Sequence, residues 1–507
     1  MLSDSKMLLA CLSIGFFVRL VPELLAFPLP IGFDTISYAY VMKDGVIFPH
    51  WTSFFTSSWL LYALIVPLYQ ITLADPFLLL KVVAPLLFGL NVAGIYWFSR
   101  KALGWSSAMG LFAGVFFALQ LASLRISWDL LRNTLGLGLL LFAFSYVRDV
   151  GSKRGFALFV SFSLLSVFAH EYAAVTLLFV VIGILLRNVI KRQFDRGGKF
   201  LALGMIPAIS VFAIGTYFRF FASTFATSSN IIQVDEAIIA NGGGLFFLVD
   251  YMKYQSLVDS YSSYLSLAAN VGLLFAVLFG PYLYLVVKGY FRNGILNLWT
   301  GLLLIGAFGC LVVPFAALDL WHRWMFMLAY PFAFFGISGF SKLYSYCLSK
   351  KMGRFNCFSI AKVVMVLLSL SLGIAYLATP AIMTFVDASV PAVTGTSAYF
   401  SVAPTIPYQD VNNVVKAMDW LDANMEANSC VILHHVFLDW GRLYLNESQA
   451  IVYFIKNPDV GVLTATGRGF SQVFFVWWNR DIGWYDGSVP EGFVSVQDFG
   501  RISIFSL

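Results

Sequence analysis

Residues 7–38, MLLACLSIGFFVRLVPELLAFPLPIGFDTISY, decide the fold class. Their first part is an apolar run from 7 to 26 behind a single Lys6. At 1.5 Å per helical residue, about 20 residues cross the roughly 30 Å hydrocarbon core of a bilayer, and the run has that length. No small-residue cleavage site precedes Pro28 and Pro30, so it reads as a retained first span and not as a removed signal peptide. The second part turns abruptly polar and brings an acid, Asp34, to the membrane boundary. The rest of the chain repeats this alternation. Of 507 residues 60% are hydrophobic and 11% charged, and the mean hydropathy is +0.82. That leaves too little polar surface to cover a soluble globule. The net charge is +6, but in a membrane chain the placement of charge says more than its sum. Cys11, Cys310, Cys347, Cys357 and Cys430 lie far apart, with neither a disulfide framework nor a zinc spacing.

Further apolar runs fall near 76–98, 106–124, 131–147, 155–169, 172–190, 201–218, 264–287, 296–316, 324–340 and 360–379. The chain is therefore read as an α-helical polytopic membrane protein with about 11 transmembrane helices. With the N-terminus inside, the cytoplasmic turns hold 18 Lys and Arg against the three acids Asp4, Asp149 and Asp195. That excess is the positive-inside signature. It requires that residues 54–73, although apolar, lie along the outer interface, where Trp51 and Trp59 suit headgroup-level anchors. Two outer segments are long, 27–75 and 219–263, the second with the run Asn241, Gly242, Gly243, Gly244. Residues 1–380 form the membrane module by this reading, and 381–507 a small extracytoplasmic α/β domain. In the latter, Val411, Val414, Val415, Met418 and Leu421 line one helix face. Short apolar runs at 430–433, 450–455, 472–477 and 502–505 read as strands.

Acids stand beside bases in most of the outer turns. The first offers Arg19, Glu23 and Asp34, the second Arg125, Asp129, Arg132 and Asn133, the third His170 and Glu171, and the fifth Asp319, His322 and Arg323. Taken singly, such pairs are more often helix caps and snorkelling side chains than sites. The run before His170 is about 22 Å long, shorter than the hydrocarbon core, so the His170–Glu171 turn is expected to be recessed in a polar cavity.

The Gly32-Phe33-Asp34 step after the first span resembles the GT-C glycosyltransferases. So do Asp129 followed by Arg132, Asn133 and Gly136, the turn at His170, Arg323 before a helix containing Pro331, and the outer C-terminal domain. That resemblance implies transfer of a sugar from a polyprenyl- or dolichyl-phosphate carrier to a protein, glycan or lipid-linked acceptor on the extracytoplasmic face, with inversion. Its partners are then the lipid-linked donor, the acceptor and membrane lipid, and no nucleic acid. It implies that Asp34 is the catalytic base, with Asp129, His170 and Glu171 in support. The donor phosphate falls to Arg323 and His322, with Arg132 and Arg19 as further cations, since a guanidinium fork fits phosphate oxygens. Asp34 and Asp129 are the pair for Mg2+ or Mn2+ if a metal is used, and none is required. Oligosaccharyltransferases carry Trp-Trp-Asp-x-Gly in the outer domain. Here Trp477 and Trp478 are followed by Asn479, Arg480 and Asp481, at what reads as a sheet edge with exposed aromatics. The departure favours a protein-mannosyltransferase-like enzyme moving one sugar. The rival reading is a transporter or flippase, which would place charges near the bilayer midplane. The main charge inside a span is Lys81. The compartment follows the host, plasma membrane in a prokaryote and endoplasmic reticulum in a eukaryote.

Overall fold

A computed structural model describes residues 4–32, 34–48, 50–56, 58–221, 231–233, 261–312, 321–349, 357–378, 406, 408–446, 448–454, 457–479 and 489–507. Asp319 and the run 241–244 lie outside these. The membrane module is helical: α1 (Asp4–Leu25), α2 (Thr35–Asp44), α3 (Ser53–Thr56), α4 (Leu60–Thr72), α5 (Pro76–Lys101), α6 (Ser107–Ala118), α7 (Leu121–Asp129), α8 (Leu131–Tyr146), α9 (Lys153–Ala169), α10 (Glu171–Ile190), α11 (Arg196–Phe221), α12 (Tyr261–Gly289), α13 (Gly294–Val312), α14 (Trp321–Met327), α15 (Ala329–Ser349) and α16 (Cys357–Ala378). After it come α17 (Tyr408–Asn424), α18 (His435–Tyr444) and α19 (Pro458–Gly467). The strands are β1 (Ile231–Gln233), β2 (Ser429–His434), β3 (Ala450–Phe454), β4 (Gln472–Trp478), β5 (Val494–Phe499) and β6 (Ile502–Ser506).

Among the described residues seven segments are long and apolar enough to cross a membrane: Asp4–Leu25, Pro76–Lys101, Glu171–Ile190, Arg196–Phe218, Ala268–Gly289, Gly294–Val312 and Trp321–Ser345. The bent pair of α6 and α7 would make eight. The protein is thus an integral membrane protein. The shorter α8 and α9 have 16 and 17 residues. Most of α8 is buried between α5 and α9, so it is shielded from lipid. Asn91 of α5 ties the bundle together: its Nδ2 donates to Thr134 O of α8 at 2.8 Å, and Tyr330 OH of α15 donates to its Oδ1 at 2.7 Å. Such hydrogen bonds hold helices where no hydrophobic effect separates protein from lipid.

The run 106–124 is not one straight helix. It bends by 63° between α6 and α7, and side chains take up the backbone groups that the break frees. Ser123 Oγ donates to Phe117 O and to Gln120 O, and Gln120 Oε1 accepts from Tyr282 OH at 3.1 Å. Gly373 of α16 lies so close to the break that a Cβ there would meet Leu119 O at 1.9 Å. The segment 54–73 does not form a spanning helix. Its 13-residue α4 is too short to cross, and it packs on the ends of α5, α8 and α9. Trp51 is 71% exposed, as an interfacial anchor would be, whereas Trp59 is stacked between Phe54 and Phe168 at 5.1 and 4.8 Å.

The C-terminal part is a six-stranded sheet in the order β1-β3-β2-β4-β6-β5. The first four strands are parallel, and β6 and β5 are added antiparallel. Helix α17 packs on β6 and β5 with Val411, Val414, Met418 and Leu421 buried. Two strands go beyond the expected four. β5 is an exposed edge with alternating polarity, and β1 comes from the 219–263 segment to pair with β3. The sheet therefore draws one strand from outside 381–507. The expected exposed edge at Trp477 and Trp478 is also corrected. β4 lies between β2 and β6, both rings are buried, and Trp478 Nε1 donates to Asp410 Oδ2 at 3.2 Å. A central strand buries both faces, so aromatic residues there are core and not a reading surface.

Burial holds the half-buried His435 below its ordinary value, with Asp439 opposing and His434 at 4.3 Å ring to ring. A histidine with a depressed folded-state value contributes stability fully above its unfolded value of about 6.5 and loses it as the pH falls below. The melting temperature of the detergent-solubilised protein should therefore drop between pH 7.5 and pH 5.5. His435→Gln should show a smaller drop in the same scanning calorimetry.

Candidate active site

The loop that carries Asp34 is fixed from below by three buried charges. Arg19, Glu23 and Lys81 are 0%, 4% and 5% exposed. Arg19 Nη1 lies 2.8 Å from Glu23 Oε1, and Lys81 Nζ 3.2 Å from Glu23 Oε2. Lys81 also donates to Glu23 O at 3.1 Å and Leu29 O at 2.7 Å, which pins the proline-containing loop to α5. Arg19 Nε and Nη2 donate to Ser127 O and Trp128 O at 3.2 and 3.4 Å. Those carbonyls are left open where α7 ends before α8, and a cation is the natural partner for a helix C-terminus. Arg19 is thus committed to structure and is not gathered with the other expected phosphate ligands. Lys81 is committed in the same way, which explains the charge inside a span.

Above this network Gly32 takes φ +86, a left-handed conformation that turns the chain into α2. Asp34 is the half-buried N-cap residue of α2, yet its side chain makes no cap hydrogen bond. It lies within electrostatic reach of Tyr38, Tyr62 and Arg132. The Arg132 guanidinium sits over the Tyr62 ring at 5.7 Å and also meets Tyr38. Burial, opposed by Arg132 and reinforced by Asp34, pushes both phenols up, so each remains a hydrogen-bond donor. Arg132 therefore stands on the carboxylate's side of the site. By sequence resemblance it is grouped with Arg323.

A second, basic grouping forms where α7 packs on α14. His322 lies within electrostatic reach of Arg323 and Arg125, and its buried Nδ1 has no hydrogen-bond partner among the described residues. Arg125 is 9% exposed and stands over the Phe326 ring at 5.8 Å. Arg125 was legible in the sequence only as one more base in the second turn. Asp129 is the last residue of α7, and its side chain lies outside the described part. It does not cap α8, whose N-cap is Leu130.

The third turn has a structural explanation. His170 is the N-cap of α10, its Nδ1 accepting from Tyr172 N at 3.2 Å, and it stacks on Tyr172 at 5.3 Å. Glu171 occupies the first turn of α10, where an acid is favoured by the helix dipole. The turn is roofed by Phe168 with Trp59 and Phe54. Tyr172 meets Trp324 beside Arg323 at 4.7 Å, so the cap braces the basic grouping instead of joining Asp34. Among the described residues no three or more His, Cys, Asp or Glu gather to hold a metal.

No protein-family model matches the sequence, and no curated protein matches it. Among solved structures it is similar to ArnT from Cupriavidus metallidurans bound to undecaprenyl phosphate. The identity is 11%, the match covers 99% of this chain and 97% of that chain, and the TM-score is 0.50. The Archaeoglobus fulgidus oligosaccharyltransferase in its apo form is 14% identical over 94% of this chain and 69% of that one, with a TM-score of 0.47. Its complex with Zn and sulfate is 14% identical over 92% and 67%, with a TM-score of 0.49. The likeness to ArnT shows a shared fold.

Removing Lys81 leaves Glu23 with one partner and frees Leu29 O. Lys81→Met should cost about 3–5 kcal/mol, the usual effect of breaking a buried pair, read as a lower melting temperature in detergent. Combining it with Glu23→Gln should recover part of the loss.

Proposed function

We propose that this protein is a glycosyltransferase that moves one hexosyl or pentosyl unit from a polyprenyl- or dolichyl-phosphate carrier to an acceptor hydroxyl. By this reading it is protein-mannosyltransferase-like and not oligosaccharyltransferase-like. The observation that carries the proposal is the division of the site into two halves. One is a half-buried carboxylate, Asp34, faced by Arg132, Tyr38 and Tyr62. The other is the basic grouping of Arg125, His322 and Arg323. The fold shared with ArnT, whose crystal structure holds undecaprenyl phosphate, supports the choice of carrier.

The chemistry follows from those halves. Arg132 stands across from the carboxylate that acts as the base. Asp34 takes the acceptor's hydroxyl proton, and the acceptor oxygen forms a bond to the anomeric carbon. The bond from that carbon to the phosphate oxygen breaks, and its electron pair leaves with the lipid phosphate. The charge that builds on the phosphate is met by Arg323, Arg125 and His322, fixed donors that need no rearrangement as it develops. Attack opposite the leaving group inverts the anomeric centre. Asp129, His170 and Glu171 support this arrangement from the surrounding turns. Residues 1–380 act as the catalytic module and 381–507 as an extracytoplasmic domain beside the acceptor, with the N-terminus in the cytoplasm. The host then sets the membrane, plasma membrane or endoplasmic reticulum. The transporter reading loses its main support, because Lys81 is held by Glu23 and Leu29.

With radiolabelled polyprenyl-phosphate sugars, Asp34→Asn should lower kcat by about 10²–10⁴-fold, the usual worth of a general base, at unchanged protein level. Arg125→Gln and Arg323→Gln should both lower kcat and weaken donor binding. Equal transfer by wild type and Asp34→Asn would remove the base from the mechanism. Orientation is tested with cysteines at the two ends of α5. Thr72→Cys and Ser106→Cys, both at exposed positions, should label from opposite faces of sealed vesicles, with Ser106→Cys reached only from the cytoplasmic side. Ser127 is fully buried and unsuited to such labelling.

A further inference from the structure

Helix α2 has only 10 residues. A helix this short has little stability of its own and takes its orientation from what it packs against. One of its faces, at Ser37, Tyr40 and Lys43, meets α18 of the C-terminal domain at three successive points. Ser37 Oγ donates to Asp439 Oδ2. The Arg442 guanidinium stands over the Tyr40 ring at 5.3 Å. Lys43 Nζ donates to Leu443 O at 2.6 Å, near the negative pole of α18. Asp439 and Arg442 are themselves paired at 3.2 Å, and Trp440 packs on Phe77 of α5 at 6.1 Å, which seats α18 on the membrane module. The adjoining face of α2 presents Tyr38 to Tyr62 and Arg132. Asp439 acts electrostatically on Tyr62, as Asp34 does. The helix that begins at Asp34 is thus held between the C-terminal domain on one side and the Arg132 grouping on the other.

We propose that Asp439 is a positioning residue for Asp34: through Ser37 it sets the register of α2 on α18 and so the place of the carboxylate. The proposal rests on the reading of Asp34 as the base. It assigns the C-terminal domain a part in the chemical step, since a shift of about 1 Å in a reacting group can cost on the order of 100-fold.

The test uses the full-length protein in detergent with a polyprenyl-phosphate sugar donor. Asp439→Ala should lower kcat by about 10–100-fold while the donor KM stays within about twofold. Ser37→Ala should give the same loss, and the double variant no more than either single one, because both changes remove one hydrogen bond. Asp439→Asn keeps an oxygen that can accept from Ser37 and should restore most of kcat. Amide hydrogen exchange over residues 35–44 should be faster in Asp439→Ala than in wild type, and slow again in Asp439→Asn. An unchanged kcat in Asp439→Ala, or multiplicative losses in the double variant, would overturn the proposal. If wild type transfers no sugar, the functional reading falls, and exchange alone decides the clamp. Faster exchange in Asp439→Ala then upholds the docking of α2 on α18, and unchanged exchange removes it.

Discussion

The rest of the structure depends on the ionic network of Arg19, Glu23 and Lys81. Three charges in a low-dielectric interior are tolerated only when each is answered, and here each is answered by another charge or by a backbone carbonyl. Its members come from α1 and α5, and it reaches the loop before α2 and the end of α7. One network therefore fixes the height of the loop bearing Asp34 and the place where α7 gives way to α8. The two halves of the site are built on those two places.

The break between α7 and α8, at Leu130, separates two guanidinium groups. It lets Arg125 turn to α14, where His322 and Arg323 stand, while Arg132 turns to α2 and α4. An unbroken helix would carry both guanidinium groups on one rigid rod. The unsatisfied carbonyls created by the break are met by Arg19, so the divided site and the buried network are two sides of one arrangement. The fold shared with ArnT supplies the scaffold, and this local wiring belongs to the chain itself.

The C-terminal sheet is not an appendage. It takes β1 from the segment between α11 and α12, seats α18 on α2, and buries aromatic residues on its central β4. Helix α2 consequently has two determinants, the loop below it and the domain beside it. A domain that only rested on the membrane module would not need a serine, a tyrosine and a lysine in one row matched by Asp439, Arg442 and the Leu443 carbonyl.

The amino-acid sequence alone determined the membrane embedding, most of the long helices and four of the six strands, because these follow from periodicities and run lengths that are local along the chain. It also brought Asp34 forward, through the resemblance carried by the Gly32-Phe33-Asp34 step. The roles of the other charges were decided only by tertiary structure. Arg19 and Arg132 look alike in sequence, yet one closes a helix end and the other faces the carboxylate. That His170 Nδ1 caps α10 is likewise visible only in the fold. β1 is three residues in a long loop, too short to carry a pattern of its own. The physical reason is that electrostatics and hydrogen bonding act through space: Lys81 finds Glu23 across 58 positions and Ser37 finds Asp439 across 402. No local pattern encodes separations of that size, whereas the hydrophobic run that places each helix in the bilayer is written in consecutive residues.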